Sequence, residues 1–188
     1  MGEFRVSKTR LVLLAGIMSA IAAALQLLAA FAPGPGHIAS ALATLPLALI
    51  SWISTGAGIA GYAVATLLVL MIAPEECVIL LTTTGPLGVA LGIAGAAKLS
   101  VAIQTLIGAA TLSSGMTTLM LVFKTDPLGP GVSGMGWVAA IGIYAGFALL
   151  YAWAWALLLR HLTPRLLAAG AWASAGVGDS ICRKPPGK

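Results

Sequence analysis

Apolar residues in this chain come in long, nearly unbroken runs, and the polar positions fall mostly between them. The first run extends from Leu11 to Ala32 and stops at Pro33-Gly34-Pro35-Gly36. It matches the roughly 20 residues that a helix needs to cross the hydrocarbon core of a bilayer, and proline–glycine pairs end helices. A second run, from His37 to Ser54, contains Pro46, and a third runs from Gly56 to Ala73 and closes at Pro74-Glu75-Glu76. The fourth, Cys77 to Ala97, contains Gly85-Pro86 and ends at Lys98. Val101 to Phe123 is the fifth, a polar, glycine-rich loop covers Lys124 to Gly136, and the sixth runs from Trp137 to Leu159. This pattern predicts an all-α, polytopic membrane protein with a six-helix bundle over residues 11–160. A short cytoplasmic segment, 1–10, precedes the bundle, and a tail, 161–188, is expected to be largely disordered or to lie on the membrane surface. Gly85-Pro86 predicts a kink or break in segment four, while the backbone group that Pro46 frees in segment two is either re-satisfied by neighbouring helices or marks a break.

Composition removes the soluble alternative. The 188 residues are 60% hydrophobic and 8% charged, where a water-facing domain carries about 25% charged residues. The formal net charge of +5 raises nucleic acid as a partner, but no basic patch is interleaved with aromatic residues, and the basic groups stand at the ends of apolar runs. Arg5, Lys8 and Arg10 ahead of the first run resemble a signal peptide, yet the run is long enough to span and more runs follow, so it reads as a retained helix.

Charge also predicts the threading. Lysine and arginine collect on the cytoplasmic side. With the N-terminus inside, six spans leave Lys124 as the one outer base among the 10 lysines and arginines, while Glu75, Glu76 and Asp126 fall outside. Five or seven spans would put the basic C-terminal cluster on the wrong side. Trp52, Trp137, Trp153 and Trp155 lie near segment ends, as interfacial anchors do.

The remaining chemistry is sparse. No zinc-protease pattern and no phosphate-binding glycine–lysine loop occurs, so neither metal, cofactor nor ATP hydrolysis is expected, and the chain does not read as an enzyme. Cys77 and Cys182 have no metal spacing. The spans hold essentially no ionisable residue of the kind that marks a proton relay. Gln26 and Gln104 are the most polar groups inside them; Gln104 suits a bond to a neighbouring helix, whereas Gln26 fits a helix contact or a ligand equally. Thr82, Thr83 and Thr84 precede Gly85-Pro86, where hydroxyls can satisfy carbonyls freed by proline or line a cavity. Glu75 and Glu76 read first as a solvated pair. Small residues recur four apart at Gly16, Ala20 and Ala24, at Gly88, Gly92 and Ala96, and at Gly142 and Gly146. Such rows let helix backbones approach closely, inside the bundle or against another subunit.

One stretch adds a resemblance: Leu45-Pro46-Leu47-Ala48-Leu49-Ile50, then Gly56 and Gly58-Ile59-Ala60-Gly61, then Gly85-Pro86-Leu87-Gly88 with Gly92. This order resembles the substrate-binding (S) components of energy-coupling factor transporters, and looks closest to the YybS-like branch. The resemblance covers about residues 8 to 160 in length and helix count. It implies a six-helix bundle that captures a small-molecule micronutrient near the outer face and works with a transmembrane coupling subunit and two cytoplasmic ATPases. It also implies that Gly16, Ala20 and Ala24 on helix one pack on the coupling subunit. The ligand-binding candidates it implies are Gln26, Glu75, Glu76, Thr83, Asp126, Trp137 and Tyr144. The outer half is poorer in polar and aromatic groups than that of the vitamin binders, and the branch implies no particular substrate. Two other readings stand beside this one: a membrane scaffold or assembly protein, and an autonomous small-solute carrier.

Overall fold

A computed structural model describes residues 8–32, 35–126 and 128–181. Arg5, Pro33-Gly34, Cys182 and the basic residues Arg183, Lys184 and Lys188 lie outside them. The described residues form nine α-helical pieces joined by short turns and loops: α1 (Lys8–Phe31), α2 (Pro35–Leu42), α3 (Thr44–Ile53), α4 (Thr55–Ile72), α5 (Pro74–Ile79), α6 (Gly85–Ala96), α7 (Val101–Val122), α8 (Pro130–Ser133) and α9 (Trp137–Ile181). A wide π-helical turn, Leu80–Thr84, joins α5 to α6. Five stretches are long and apolar enough to cross a membrane: Lys8–Phe31, Thr55–Ile72, Pro74–Ala96, Val101–Val122 and Trp137–Thr163. A shorter apolar stretch, Ile38–Ile53, covers the region expected as the second span. The last helix continues past Leu159 to Ile181, into the region where the sequence predicts a tail.

Large apolar side chains cover the exterior, among them Val12, Leu67, Met71, Leu106, Leu121 and Leu150. Water would disfavour so continuous an apolar surface; hydrocarbon would not. Small residues fill much of the interior, including Ala22, Ala48, Ala65, Ala109, Ala148 and Ala152.

The contacts set the direction of each pass. α1 and α4 run side by side in the same sense, Leu11 to Ser19 along Ala57 to Val64. α3 and α6 are also parallel, with Gly88 beside Thr44 and Gly95 against the Trp52 ring. α7 runs opposite to α6 and α9: Gly108 meets Leu87, Leu91 and Ala152, and Gly115 meets Thr82. The chain therefore goes back and forth, collecting Lys8, Arg10, Lys98 and Arg160 at one end and Glu75, Glu76, Lys124 and Asp126 at the other. These are called here the basic and the acidic ends.

Local chemistry explains the stops. Ser54 caps α4 by accepting from the Ala57 N–H, and Ser100 caps α7 by accepting from the Ile103 N–H, each satisfying one of the orphan donors of a first turn. Ala73 leaves the helical region (φ −141°, ψ 87°) ahead of Pro74, since a residue before proline is disfavoured in the α conformation. α6 ends with Lys98 in the left-handed region (φ 55°). There the Lys98 N–H bonds Gly95 O and the Leu99 N–H bonds Ala94 O, the double bond that closes many helices. Gln104 then donates to Leu99 O at 2.9 Å, tying the start of α7 to the turn before it.

Two passes are interrupted. In the second, the helix breaks at Ala43, three residues before Pro46, and Tyr151 of α9 donates to the Ala41 carbonyl at 3.2 Å. In the fourth, the Gly85 N–H bonds back to Leu80 O, five residues away. Pro86 has no N–H to offer Thr82 O, so that carbonyl is free of the α ladder. It lies against Gly115, where a Cβ would collide with it. The neighbouring Leu81 carbonyl accepts from Tyr62 Oη of α4 at 2.7 Å.

Candidate functional site

The wide turn places three polar side chains together near the acidic end. Gln26 belongs to α1, five residues before its end at Phe31, or about 8 Å along the axis. Its side chain is fully buried. Glu76 stands in the first turn of α5 with 8% exposure. Gln26 Nε2 donates to Glu76 Oε2 at 2.8 Å, and Gln26 Oε1 accepts from Thr84 Oγ1 at 3.2 Å. The amide thus bridges a carboxylate and a hydroxyl, both of which are also buried.

The turn itself makes this alignment possible. Residues 76 and 84 are eight apart, whereas two α-helical turns take about 7.2 residues. In a regular helix Thr84 would overshoot the face that carries Glu76. The extra residue in the wide turn takes up the difference, so both side chains reach Gln26. Such turns recur at functional sites. The other two threonines serve their own helix: Thr82 donates to Val78 O at 2.8 Å and Thr83 to Ile79 O at 2.6 Å, the back-bonding common for this residue. Cys77, next to Glu76, is buried and free, and points its thiol at Thr66 O, 3.6 Å away.

The sequence candidates therefore separate into groups. Gln26 and Glu76 come together. Thr83 lies beside them but is turned into its own helix, and Thr84, which the sequence reading did not choose, takes part instead. Asp126 and Tyr144 form a second pair: Tyr144, fully buried, donates to Asp126 Oδ1 at 2.9 Å, and the same oxygen accepts from the Leu128 N–H at 3.1 Å. This pair anchors the loop between α7 and α9. Glu75 and Trp137 are exposed. The expectation that the spans hold essentially no ionisable residue needs correcting at Glu76, which is buried inside the apolar stretch Pro74–Ala96. The pair Glu75-Glu76 is solvated at one member only.

The small-residue rows also separate. Gly88 and Gly92 pack inside, against Thr44, Ala48 and Ser51 of α3. Gly16, Ala20 and Ala24 face outward, and nothing lies within 4 Å of the position a Cβ would take at Gly16. A shallow groove between α1 and α4 runs along this face, lined by Leu11, Ala15, Gly16, Ala57, Ala60 and Val64. Gly142 and Gly146 are likewise open to the outside. The one sequence signal for Thr84 is its place in the threonine run before Gly85-Pro86; which of the three hydroxyls turns toward Gln26 is set by the wide turn.

Comparison of the chain with protein-family models, with curated proteins and with solved structures gives no match.

Proposed function

We propose that this protein is the membrane-embedded capture subunit of an ATP-driven micronutrient uptake system of the energy-coupling factor type, at home in the plasma membrane. In this reading the interrupted pass α2–α3 is a sixth span, both termini are cytoplasmic, and the acidic end faces outward. The observation that carries it is the buried Gln26–Glu76–Thr84 cluster, drawn from separate elements at a wide helical turn near one end of the bundle. Intramembrane polar groups are costly and mark substrate paths, and discontinuous helices host binding sites in transporters. The outward row Gly16, Ala20 and Ala24, with the groove beside it, suits the closely packed helix of a coupling subunit.

The experiment is mild solubilisation of the tagged chain from its own membranes. Recovery of a transmembrane partner with an ATPase pair is expected, and Ala20→Leu together with Ala24→Leu should reduce that recovery at unchanged expression. Failure to recover any ATPase counts against the reading. For the threading, single cysteines near Asp126 and near Lys98 are labelled from outside intact cells; only the first should react.

A scaffold or assembly role is the second reading. The close packing of the cluster favours it, since Gln26 is already occupied on both sides by protein groups. A chain that recovers membrane assembly proteins and no ATPase would support that role.

A further inference from the structure

We propose that the Gln26–Glu76–Thr84 cluster receives a positively charged nitrogen, so that the captured solute carries a primary or secondary ammonium group. The inference rests on the capture reading for the site's use, but its chemistry can be tested separately.

Glu76 is more than nine-tenths buried, and its one hydrogen bond among the described residues comes from the neutral Gln26 amide. No described lysine, arginine or histidine pairs with it. A carboxylate this buried, with a single neutral donor among the described residues, has no counter-charge among them. The neighbouring groups present oxygens: Gln26 Oε1, Thr84 Oγ1 and the carboxylate itself. An ammonium group offers two or three N–H donors around one charge, and these oxygens are the acceptors it needs. Rotating Thr84 Oγ–H away from Gln26 frees the amide oxygen and leaves the hydroxyl oxygen as a further acceptor, with no movement of the backbone.

The approach to the cluster has the same sign. Among the described residues, exposed Glu75 directly precedes Glu76, and Asp126 and Lys124 are the other charged groups at that end. A rim with excess negative charge concentrates cations and disfavours anions. An anionic vitamin would meet an acidic rim and a buried carboxylate, so the charges select against it.

The test is the thermal unfolding of the full chain, purified in detergent, with methylammonium chloride as the probe at constant ionic strength. Tetramethylammonium, which has the charge but no N–H, and sodium and potassium are the comparison salts. A saturable rise in Tm with methylammonium, and none with tetramethylammonium, is expected. Glu76→Gln should weaken the apparent affinity roughly tenfold or more, the equivalent of one charge-assisted hydrogen bond. Thr84→Val should weaken it about two- to tenfold, by the same conversion for a neutral bond. If Glu76→Gln does not fold, Thr84→Val and Gln26→Leu carry the same comparison.

No saturable response to any salt overturns the proposal. So does a response to sodium or potassium without one to methylammonium, which would make this an alkali-ion site. An equal methylammonium response in the variants and the parent also overturns it. A methylammonium response in a chain that never recovers an ATPase removes the capture reading and leaves the ammonium site standing. Recovery of the ATPase pair without any cation response does the reverse.

Discussion

The second and fourth passes are interrupted by the same residue type, with different results. Pro46 follows a break at Ala43, and Pro86 follows the wide turn Leu80–Thr84. In each, the disturbed turn lies just before the proline, but only Pro86 removes an N–H from a continuous ladder, since Pro46 falls in the first turn of α3. In the second pass the chain resolves this by breaking, and one phenol, Tyr151, takes up the Ala41 carbonyl. In the fourth the helix stays continuous by widening, and the widening rotates Thr84 onto the face of Glu76. The first interruption shapes the bundle; the second also assembles a polar site. The difference lies in the neighbours, since Gln26 and Glu76 flank only the second.

The sharpest way to break this contrast is at Gly115. A Cβ there would fall on the Thr82 carbonyl and its carbon, both backbone atoms that cannot swing aside. Gly115→Ala is expected to destabilise by about 3 kcal/mol, the upper range for overpacking. Gly142→Ala, with nothing within 4 Å, should change stability by less than about 0.5 kcal/mol. Buried Cys77 provides the readout: in a Cys182→Ser background, the rate of thiol labelling against temperature reports unfolding. Equal labelling curves for the two variants would show that the wide turn does not depend on α7.

Next in size is Gln26→Leu. It removes the bond that Glu76 receives among the described residues and the acceptor of Thr84. Leaving buried polar groups unpaired costs about 1–3 kcal/mol, and about 2 kcal/mol is expected in the same labelling assay. A neutral result would mean that water or headgroups already reach Glu76.

Smaller effects come from the two phenols that hold freed carbonyls. Tyr62→Phe and Tyr151→Phe each lose one neutral hydrogen bond, to Leu81 O and Ala41 O respectively, for about 1 kcal/mol apiece. The contact at Leu81 is shorter, 2.7 Å against 3.2 Å, so Tyr62→Phe should be the more damaging. The reverse order in thermal unfolding would make the second pass the more dependent on its phenol.

Much of this architecture is legible in the sequence because apolar length is a direct physical requirement of the bilayer. The long helices coincide closely with runs one, three, four, five and six. The interruptions were readable in kind but not in place. Pro46 and Gly85-Pro86 announce a break, yet its effect falls upstream, at Ala43 and at Leu80–Thr84, since proline acts on the preceding turn. That displacement also hid the site. Counting along a regular helix does not pair Glu76 with Thr84, and a carboxylate beside Pro74 reads as a mouth charge until α1 is seen packed over it. The row Gly16, Ala20 and Ala24 allowed inside or outside equally, because spacing defines a face and not its direction.

The smallest expected effect is also the most discriminating. Pro46 is the third residue of α3, within the first turn, where a backbone N–H has no intrahelical acceptor in any case. Pro46→Ala therefore restores no ladder bond, and its effect should stay within about 0.5 kcal/mol. Pro86 follows a turn that is continuous with α5. In Pro86→Ala the new N–H can compete for Thr82 O, which draws the wide turn back toward regular α geometry and swings Thr84 off the face of Glu76. Global stability should change little, because a gained bond offsets a lost one. The methylammonium response should instead fall to the level of Thr84→Val. If Pro86→Ala retains the parent response, the widening is held by Gly115 and Tyr62 alone, and proline only marks where it occurs.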